Sequence, residues 1–409
     1  MNDGAKNSVW LAGFEVWAFG ALIATVFSIV FSIVLGQMAA GMCYLFFMVA
    51  LIRRQVQGRM GMLAWTGLAF IAVAVASSLL AGGARELFHD AGKLLWFLLL
   101  PVTVSLVKTP RRAMQIVWAF LGGGLVLSLK DLVMHPVRAM RDPVPNFLTA
   151  LIDKGSMTDG QMLMLAVVSG TAVALVFIRN QRRVPLWLWV MLSAQIAGLL
   201  INFKRGSWLC AVLLVGGLLV SHLKWRGLLV AVIVVAGLVA LPPIQSRLSG
   251  LGSEFTRGDG RLAMWTKVAP SIVQEYPMGV GYGRLTNEMM KQAWPRIEPN
   301  RDHLHANWAQ VLVETGWPGV SVFLLWMVGG IILAVRTLLV ARKGGALERV
   351  VAPVIVLMLA GLILNGFVEY NFGDTELMFI YAVVLGLTTG FWRGGATHAE
   401  RTEFSQVET

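Results

Sequence analysis

The sequence predicts an all-α polytopic membrane protein with about twelve transmembrane helices and a helical cap outside the membrane. Three observations predict this fold class. Of the 409 residues, 57% are hydrophobic and only 14% are charged. The mean hydropathy is +0.70. Apolar runs long enough to cross about 30 Å of hydrocarbon follow one another along most of the chain. This composition excludes an ordinary soluble domain.

The apolar runs divide the chain into three parts. Residues 1–242 form the first part of a membrane domain with about nine spans, 243–316 form an external cap, and 317–409 hold the last three spans and a polar tail. Two cap segments, GRLAMWTKVAPSIVQEYP and GRLTNEMMKQAW, have the pattern of amphipathic helices that open with Gly-Arg. The predicted spans are 12–34, 37–52, 61–81, 92–107, 113–132, 161–178, 185–202, 207–222, 227–242, 317–340, 350–370 and 376–392.

The orientation follows from the basic residues in alternate connections, which by the positive-inside rule face the cytoplasm. Both termini then lie in the cytoplasm, and the first apolar run is interpreted as an uncleaved span. The external connections are 82–91, 133–160, the short turn NFKRGS, the cap and the acidic segment EYNFGDTE. The basic residues that set this orientation are Arg53, Arg54, Arg59, Lys108, Arg111, Arg112, Arg179, Arg182, Arg183, Lys224, Arg226, Arg342, Lys343 and Arg349.

The net charge of +12 does not indicate nucleic-acid binding. The basic residues fall in short clusters between apolar runs, where the orientation rule and contact with anionic membrane lipids explain them better. Cys43 and Cys210 both lie inside apolar runs, so they are interpreted as small core residues rather than as a disulfide.

Several cationic residues stand on the external side, where positive charge is ordinarily depleted. Lys204 and Arg205 occupy a tight turn between two spans, and Arg261 follows a Gly-Asp-Gly turn at a predicted helix start. Arg284 and Arg301 also lie in the cap, where contact with solvent or lipid headgroups explains them equally well. Guanidinium groups suit bidentate capture of phosphate, so the cluster indicates an anionic ligand with a lipid tail.

Two histidines precede the tenth span in the stretch RDHLHANWAQVLVETGWPG. With Asp302 as N-cap, His303 and His305 are predicted to fill the first helical turn, where the helix N-terminus favours a nearby phosphate. Positive surroundings disfavour protonation of a histidine, and a neutral histidine accepts a proton from a hydroxyl. A zinc site is not expected, because residues spaced i, i+2 at a helix start point to different faces.

These residues resemble the O-antigen ligase superfamily, which contains WaaL-type ligases and O-antigen polymerases. The family has a histidine near the end of its large periplasmic loop, followed at fixed spacing by a glycine and then by Gly, Thr or Tyr, and His305, Gly316 and Gly319 match that spacing. The family has an amide or hydroxyl residue directly after the histidine, whereas this chain has Ala306 there and Asn307 one position later. The resemblance is strongest over about 200–320.

The resemblance implies transfer of a glycan from undecaprenyl diphosphate to lipid A-core on the periplasmic face of a bacterial inner membrane, with inversion at the anomeric carbon. It matches the family's two functional arginines to Arg205 and Arg261 and its general base to His305. Lys204, Arg284, Arg301, His303 and Asn307 are expected to bind substrate. No cofactor and no catalytic metal are expected, because arginines outnumber carboxylates around the proposed site and already supply the positive charge that a metal would provide. The close acidic pair in the external loops is Asp374 and Glu376, which could equally pair with a basic residue or face solvent.

Two alternatives stay open from the sequence. An O-antigen polymerase or a protein O-oligosaccharyltransferase would use the same donor with another acceptor. A lipid-linked glycan flippase would also need many spans and arginines, but we would expect it to carry charges along a central path. Here the informative charges gather at one face, with Lys130 and Glu369 near the outer ends of two spans as mild exceptions.

Overall fold

The structure is a computed structural model that describes most of the chain outside the termini and several connections. The terminal segments 1–12 and 390–409 lie outside the described residues, so the predicted position of the termini is not tested. Most of the predicted external connection at 82–91 also lies outside them. The described residues are 13–82, 94–141, 147, 151, 155–179, 183–240, 244–245, 252, 256–258, 260–297, 301 and 303–389.

Within the described residues, twelve apolar helices correspond one by one to the twelve predicted spans, so the prediction of an all-α polytopic membrane protein is confirmed. Seven are long and apolar enough to cross a membrane, and five more are apolar but shorter. In chain order the apolar helices are α1 (Gly13–Ile29), α2 (Ile33–Ile52), α3 (Met62–Gly82), α4 (3₁₀ Leu95–Leu98 continued by Leu99–Leu106), α5 (Pro110–Arg141), α6 (Met157–Arg179), α7 (Leu186–Ile201), α8 (Arg205–Leu223), α9 (Trp225–Val239), α12 (Asn307–Ala341), α13 (Ala346–Gly366) and α14 (Thr375–Thr389).

Between α9 and α12 the described residues include two helices that are relevant to the site. The first, α10, is continuous through Arg261–Ala263, a π-helical stretch Met264–Val268 and Ala269–Glu275, and it begins at Gly-Arg as predicted. The second, α11, spans Asn287–Ala293. Its N-cap is Thr286, whose hydroxyl accepts a hydrogen bond from the Met289 amide, so the prediction that it opens at Gly-Arg is wrong.

Two membrane helices are longer than predicted. Helix α5 continues to Arg141, nine residues into the predicted 133–160 connection, and its last turn carries Arg138 and Arg141. These cations lie at the negative end of the helix dipole and stabilise the extension. Helix α12 starts at Asn307, ten residues before the predicted span, and bends at Gly316, where φ is +67° and ψ is −169°.

The centre of the membrane core is α6, which is buried along nearly its whole length. Neighbouring helices approach it closely at glycines: a Cβ on Gly124 of α5 would lie 2.8 Å from the Ala166 Cβ, and one on Gly361 of α13 would lie 2.8 Å from Leu165. Close backbone approach of this kind is how membrane helices gain packing energy in lipid.

The connection between α13 and α14, residues 367–374, is anchored in the same core by an aromatic cluster. Phe372 is fully buried, and its ring lies 4.9 Å from that of Phe323, 5.6 Å from Phe70 and 5.7 Å from Trp96. Burial of a phenylalanine contributes about 1.5–3 kcal/mol. The backbone that precedes Phe372 is therefore held at a fixed height above the membrane helices.

A second hydrophobic cluster lies in the cap and includes Met264, Leu285, Met290 and Leu304. The turn after α10 joins this cluster to the bend in α12. The Val280 and Gly281 amides donate hydrogen bonds of 3.0 and 2.9 Å to the carbonyls of Val313 and Glu314. The first half of α12 thus packs with the cap, while its second half is a membrane helix.

Candidate active site

His305 lies just before α12 rather than inside it. Its backbone has φ +50°, a left-handed conformation that histidine adopts more readily than most residues, and Ala306 is the N-cap of the helix. The prediction that His303 and His305 fill the first helical turn is therefore wrong, and its proposed N-cap, Asp302, lies outside the described residues. The break sends Leu304 into the cap cluster and leaves the histidines on the opposite side.

Both ring nitrogens of His305 have polar neighbours. Nδ1 lies 3.4 Å from Oε2 of Glu369, and Nε2 lies 3.1 Å from Nη1 of Arg301. A carboxylate only accepts and a guanidinium only donates, so the consistent tautomer carries its proton on Nδ1 and a lone pair on Nε2. Glu369 thereby orients the ring and leaves Nε2 as its basic atom.

Arg261, the first residue of α10, meets the same carboxylate from the other side. Its guanidinium donates hydrogen bonds to Oε1 of Glu369 and to the carbonyl of Val368. The side chains are 13% and 6% exposed, so this ion pair lies largely away from water. Glu369 therefore bridges Arg261 and His305, with one carboxylate oxygen on each.

The electrostatics keep His305 neutral and Glu369 ionised. Burial lowers the pKa of His305, and His303 and Arg261 lower it further. The hydrogen bond that its Nδ1 donates to Glu369 acts in the opposite direction and raises the pKa. Burial alone would raise the pKa of Glu369, but His305 and Arg261 outweigh it and the pKa is lowered. At neutral pH the site thus holds an uncharged base beside a fixed negative charge.

The N-terminus of α8 faces Glu369 as well. A Cβ on Gly206 would lie 3.5 Å from the Cγ and 3.6 Å from the Oε1 of Glu369. Arg205 is the first residue of α8 and Lys204 is its N-cap, and both are partly exposed. The short external turn that the sequence singles out therefore reaches the same place as the cap residues Arg261 and His305.

His303 and Arg301 complete the cluster. The rings of His303 and His305 are 4.3 Å apart, and the Tyr370 ring lies 6.0 Å from His303. The Asn287 side chain on α11 donates a 2.7 Å hydrogen bond to the Arg301 carbonyl and so fixes this segment to the cap. Both partly exposed side chains lie where a ligand from outside would meet them.

Arg284 lies in a different place. It closes the tight turn that starts at Gly281, where its amide donates to the Gly281 carbonyl at 3.2 Å. That turn pairs with Glu314 at the bend in α12. Its place favours a role in the join between cap and membrane helix.

Asn307 holds the Glu369 segment in position. Its Oδ1 accepts hydrogen bonds of 2.9 and 3.0 Å from the amides of Asn371 and Phe372, and its Nδ2 donates to Asn371 Oδ1 at 2.6 Å. Asn307 is 4% exposed, and the Tyr381 hydroxyl lies in the same buried network. This arrangement favours a positioning role for Asn307 rather than direct contact with a substrate.

Sequence reasoning assigned no function to Glu369. The sequence shows Glu369 only as an acidic residue near the end of a predicted span. A charge there is costly without a partner, but the sequence does not identify the partner. Its partners lie 64 and 108 positions earlier in the chain. No local spacing connects the three residues.

Comparison with known proteins supports the resemblance. Residues 190–324 match the model of the family described as O-antigen ligase, a stretch that contains Arg205, Arg261 and His305. Glu369 lies beyond it. A comparison with curated proteins finds no match. The resemblance to the O-antigen ligase and polymerase superfamily is thus confirmed over this part of the chain by a match to the family.

Proposed function

We propose that this chain is an inverting glycosyltransferase that moves an O-antigen glycan from undecaprenyl diphosphate to lipid A-core. The observation that carries the proposal is a partly buried, neutral histidine, His305, which a carboxylate orients within a cluster of cations. The family match over residues 190–324 supports a lipid-linked glycan as substrate. Ligation to lipid A-core is the finer part of the proposal and rests on the resemblance.

In this mechanism His305 is the general base. Nε2 takes the proton from the acceptor hydroxyl, whose oxygen attacks the anomeric carbon as the bond to the diphosphate breaks. The proton stays on the imidazole, and the electron pair leaves with the diphosphate. Glu369 stabilises the imidazolium that forms, because its carboxylate remains ionised beside Nδ1. A positioned base contributes roughly 10²–10⁴ in rate.

Arg301 connects base activation to donor binding. Its guanidinium donates to the same Nε2 that must receive the proton. An acceptor hydroxyl reaches Nε2 only after Arg301 turns away, and a diphosphate is the ligand that draws it. The base would thus be free only when a donor is bound.

The leaving diphosphate needs positive charge where it departs. Lys204 and Arg205 at the N-terminus of α8, together with Arg261 and Arg301, supply it from the chain itself. This is why we propose a reaction without a catalytic metal. Metal ions in such reactions bridge phosphates and neutralise their charge, which the guanidinium groups do here.

An apolar opening next to the site suits the polyprenyl tail. Its lining includes Phe323, Met327, Ile363 and Phe367 together with Asn307. Phe367 is 53% exposed at the outer end of α13. A chain that lies in this opening would leave its diphosphate beside the Glu369 segment.

We further propose that the cap, 243–316, and the site face the periplasm, and that the termini lie in the cytoplasm. Impermeant thiol labelling of whole cells tests this topology. Cysteines at Gly258 and Glu288 of the cap should react from outside, whereas one at Gly344 should not. Cys43 and Cys210 are buried and provide a low background. Labelling of Gly344 from outside would reverse the orientation.

Reconstitution tests the reaction itself. Purified protein in liposomes receives undecaprenyl-diphosphate glycan with lipid A-core, with a second lipid-linked glycan, or with an acceptor protein. We expect a mass shift on lipid A-core only, and none with His305→Ala. A shift on the second glycan would identify a polymerase, and one on the protein an oligosaccharyltransferase. Movement of intact donor between leaflets without any mass shift would identify a flippase.

A further inference from the structure

A second polar cluster lies at the outer ends of α5, α6 and α7. Asp131 and His135 are spaced i, i+4 on α5, and Asp159 lies in the first turn of α6. One ligand atom from each of these three side chains lies within 4.8 Å of the others. Asp131 and Asp159 are 28 positions apart, so the sequence does not present them as a pair.

This cluster contains several buried polar atoms without hydrogen bonds in the described part of the chain. They are both carboxylate oxygens of Asp131, Nδ1 of His135 and both amide atoms of Asn202. Asp131 and Asn202 are fully buried, and His135 is 2% exposed. Buried polar groups in proteins nearly always have a partner, and a buried carboxylate without one is costly. So many unpartnered atoms at one place indicate a bound species.

Asn202 is directed into the cluster from α7, which it caps. Its side chain faces the Asp131 carboxylate, outside hydrogen-bond geometry. A Cβ on Gly160 would lie 2.6 Å from its Oδ1, so that oxygen also faces the turn of α6 that carries Asp159. Asn202 therefore adds a carbonyl oxygen to two carboxylates and an imidazole.

We propose that Asp131, His135, Asp159 and Asn202 bind one Zn²⁺ ion or a similar divalent transition metal. Imidazole nitrogen and carboxylate oxygen are ligands of zinc at about 2.0–2.2 Å, which sets ligand atoms about 3 to 4 Å apart. The His135 Nε2 to Asp131 Oδ1 distance is 3.5 Å. Calcium and magnesium are disfavoured because they prefer oxygen ligands, and calcium takes six to eight.

Lys130 is the competing explanation. Its ammonium lies 3.3 Å from Asp159 and 3.9 Å from Asp131. It is 37% exposed, so the flexible side chain can turn to solvent when an ion enters. Lys130 also leaves the Asn202 carbonyl oxygen without a hydrogen bond, since its ammonium does not supply one. A metal ion that binds this oxygen accounts for it.

The site has a structural role rather than a catalytic one. Asn202 lies two residues before Lys204, and a Cβ on Gly160 would also lie 3.2 Å from the Lys204 Cβ. A metal bound here would fix the turn between α7 and α8 to α5 and α6. None of the four proposed ligands takes part in the proposed reaction, so the metal site does not depend on it.

Metal binding to the full-length protein in detergent, with no affinity-tag histidines, tests the proposal. After chelation and buffer exchange, the wild type should take up one Zn²⁺ per chain, and Co²⁺ in its place should give the visible absorption of a low-symmetry site. His135→Gln and Asp159→Asn should each weaken Zn²⁺ binding at least about tenfold, since even residues behind metal ligands contribute that much. Lys130→Gln should retain binding.

The matched control is His222→Gln, which removes a partly exposed histidine near the other end of α8. It should bind Zn²⁺ like the wild type. A ligand variant could lose Zn²⁺ binding because it misfolds, so the proposal is judged first on the stoichiometry and the Co²⁺ spectrum of the wild type. Zn²⁺ should also raise the unfolding temperature of the wild type. Wild-type uptake well below one ion per chain, or uptake lost equally in His222→Gln, would overturn the proposal and leave Lys130 as the counter-ion.

Discussion

Replacement of Glu369 by glutamine tests the candidate site most directly, because it keeps the shape of the side chain and removes its charge. Arg261 donates to one carboxylate oxygen, so the amide oxygen of glutamine must take that position. The amide NH₂ then faces Nδ1 of His305, which has to accept instead of donate. The ring proton moves to Nε2, where it meets the Arg301 donor. Nε2 then has no lone pair with which to accept the proton of the acceptor hydroxyl.

The size of the effect follows from the loss of general-base catalysis. A positioned base contributes roughly 10²–10⁴ in rate, so we expect kcat to fall by that factor. This corresponds to about 3–5 kcal/mol on the barrier, at about 1.4 kcal/mol for each factor of ten. KM for the donor should change much less, because the guanidinium groups that would hold the diphosphate remain. Glu369→Asp should retain part of the activity, since it keeps the charge at a shorter reach.

The assay is initial-rate transfer in proteoliposomes at saturating donor, with expression and thermal unfolding measured in parallel. Glu288→Gln is the matched control, because Glu288 is an exposed carboxylate of the cap, outside the site, and its replacement should leave turnover unchanged. Near wild-type kcat in Glu369→Gln would refute the orienting role. A large drop in unfolding temperature at unchanged kcat would assign Glu369 to stability alone.

The remaining predictions concern the other groups of the site. His305→Ala should abolish transfer in a folded protein and His303→Ala should cost less; the reverse order would move the base to His303. Transfer should persist below the usual histidine pKa of about 6.5 and disappear as the pH falls through the lowered pKa of His305, since only the neutral ring accepts a proton; a midpoint above 6.5 would contradict this. Arg205→Ala and Arg261→Ala should each lose most activity, with lysine restoring only part of it, and full rescue by lysine would reduce the role of the guanidinium to charge. Added Mg²⁺ should not raise the turnover of chelated protein, and a rise would move the site toward Asp374.

The sequence predicts the membrane helices well, because each needs a long apolar run and such runs are local features. It also singles out Arg205 and Arg261, since charge on the depleted side of a membrane protein is conspicuous in the sequence. Arg205 and Arg261 both lie at the starts of helices near Glu369 in the structure. Their shared location follows from the rule that external loops meet at one membrane face.

The sequence does not predict what depends on distant or irregular backbone. The left-handed turn at His305 separates the histidines from α12, and no side-chain pattern distinguishes it from a helix start. The role of Asn307 depends on hydrogen bonds to a segment 64 positions away. The bend at Gly316 is likewise set by contact with the cap: a Cβ there would lie 2.3 Å from the Pro277 carbonyl oxygen. These features form only when segments that are distant in the sequence pack together, so the sequence alone does not predict them.

The long separation between Glu369 and its partners has a consequence for biogenesis. On the proposed topology, Arg261 and His305 are exported during synthesis well before the segment that carries Glu369, which lies just before α14. Until that segment reaches the outer surface, two groups destined for a buried ion-pair network have no anion. Contacts of this range form late because closing a long loop costs entropy. A nascent chain therefore acquires a competent site only when insertion is nearly complete, and a truncated product that lacks the final helices would retain the cations without the carboxylate that orients the base.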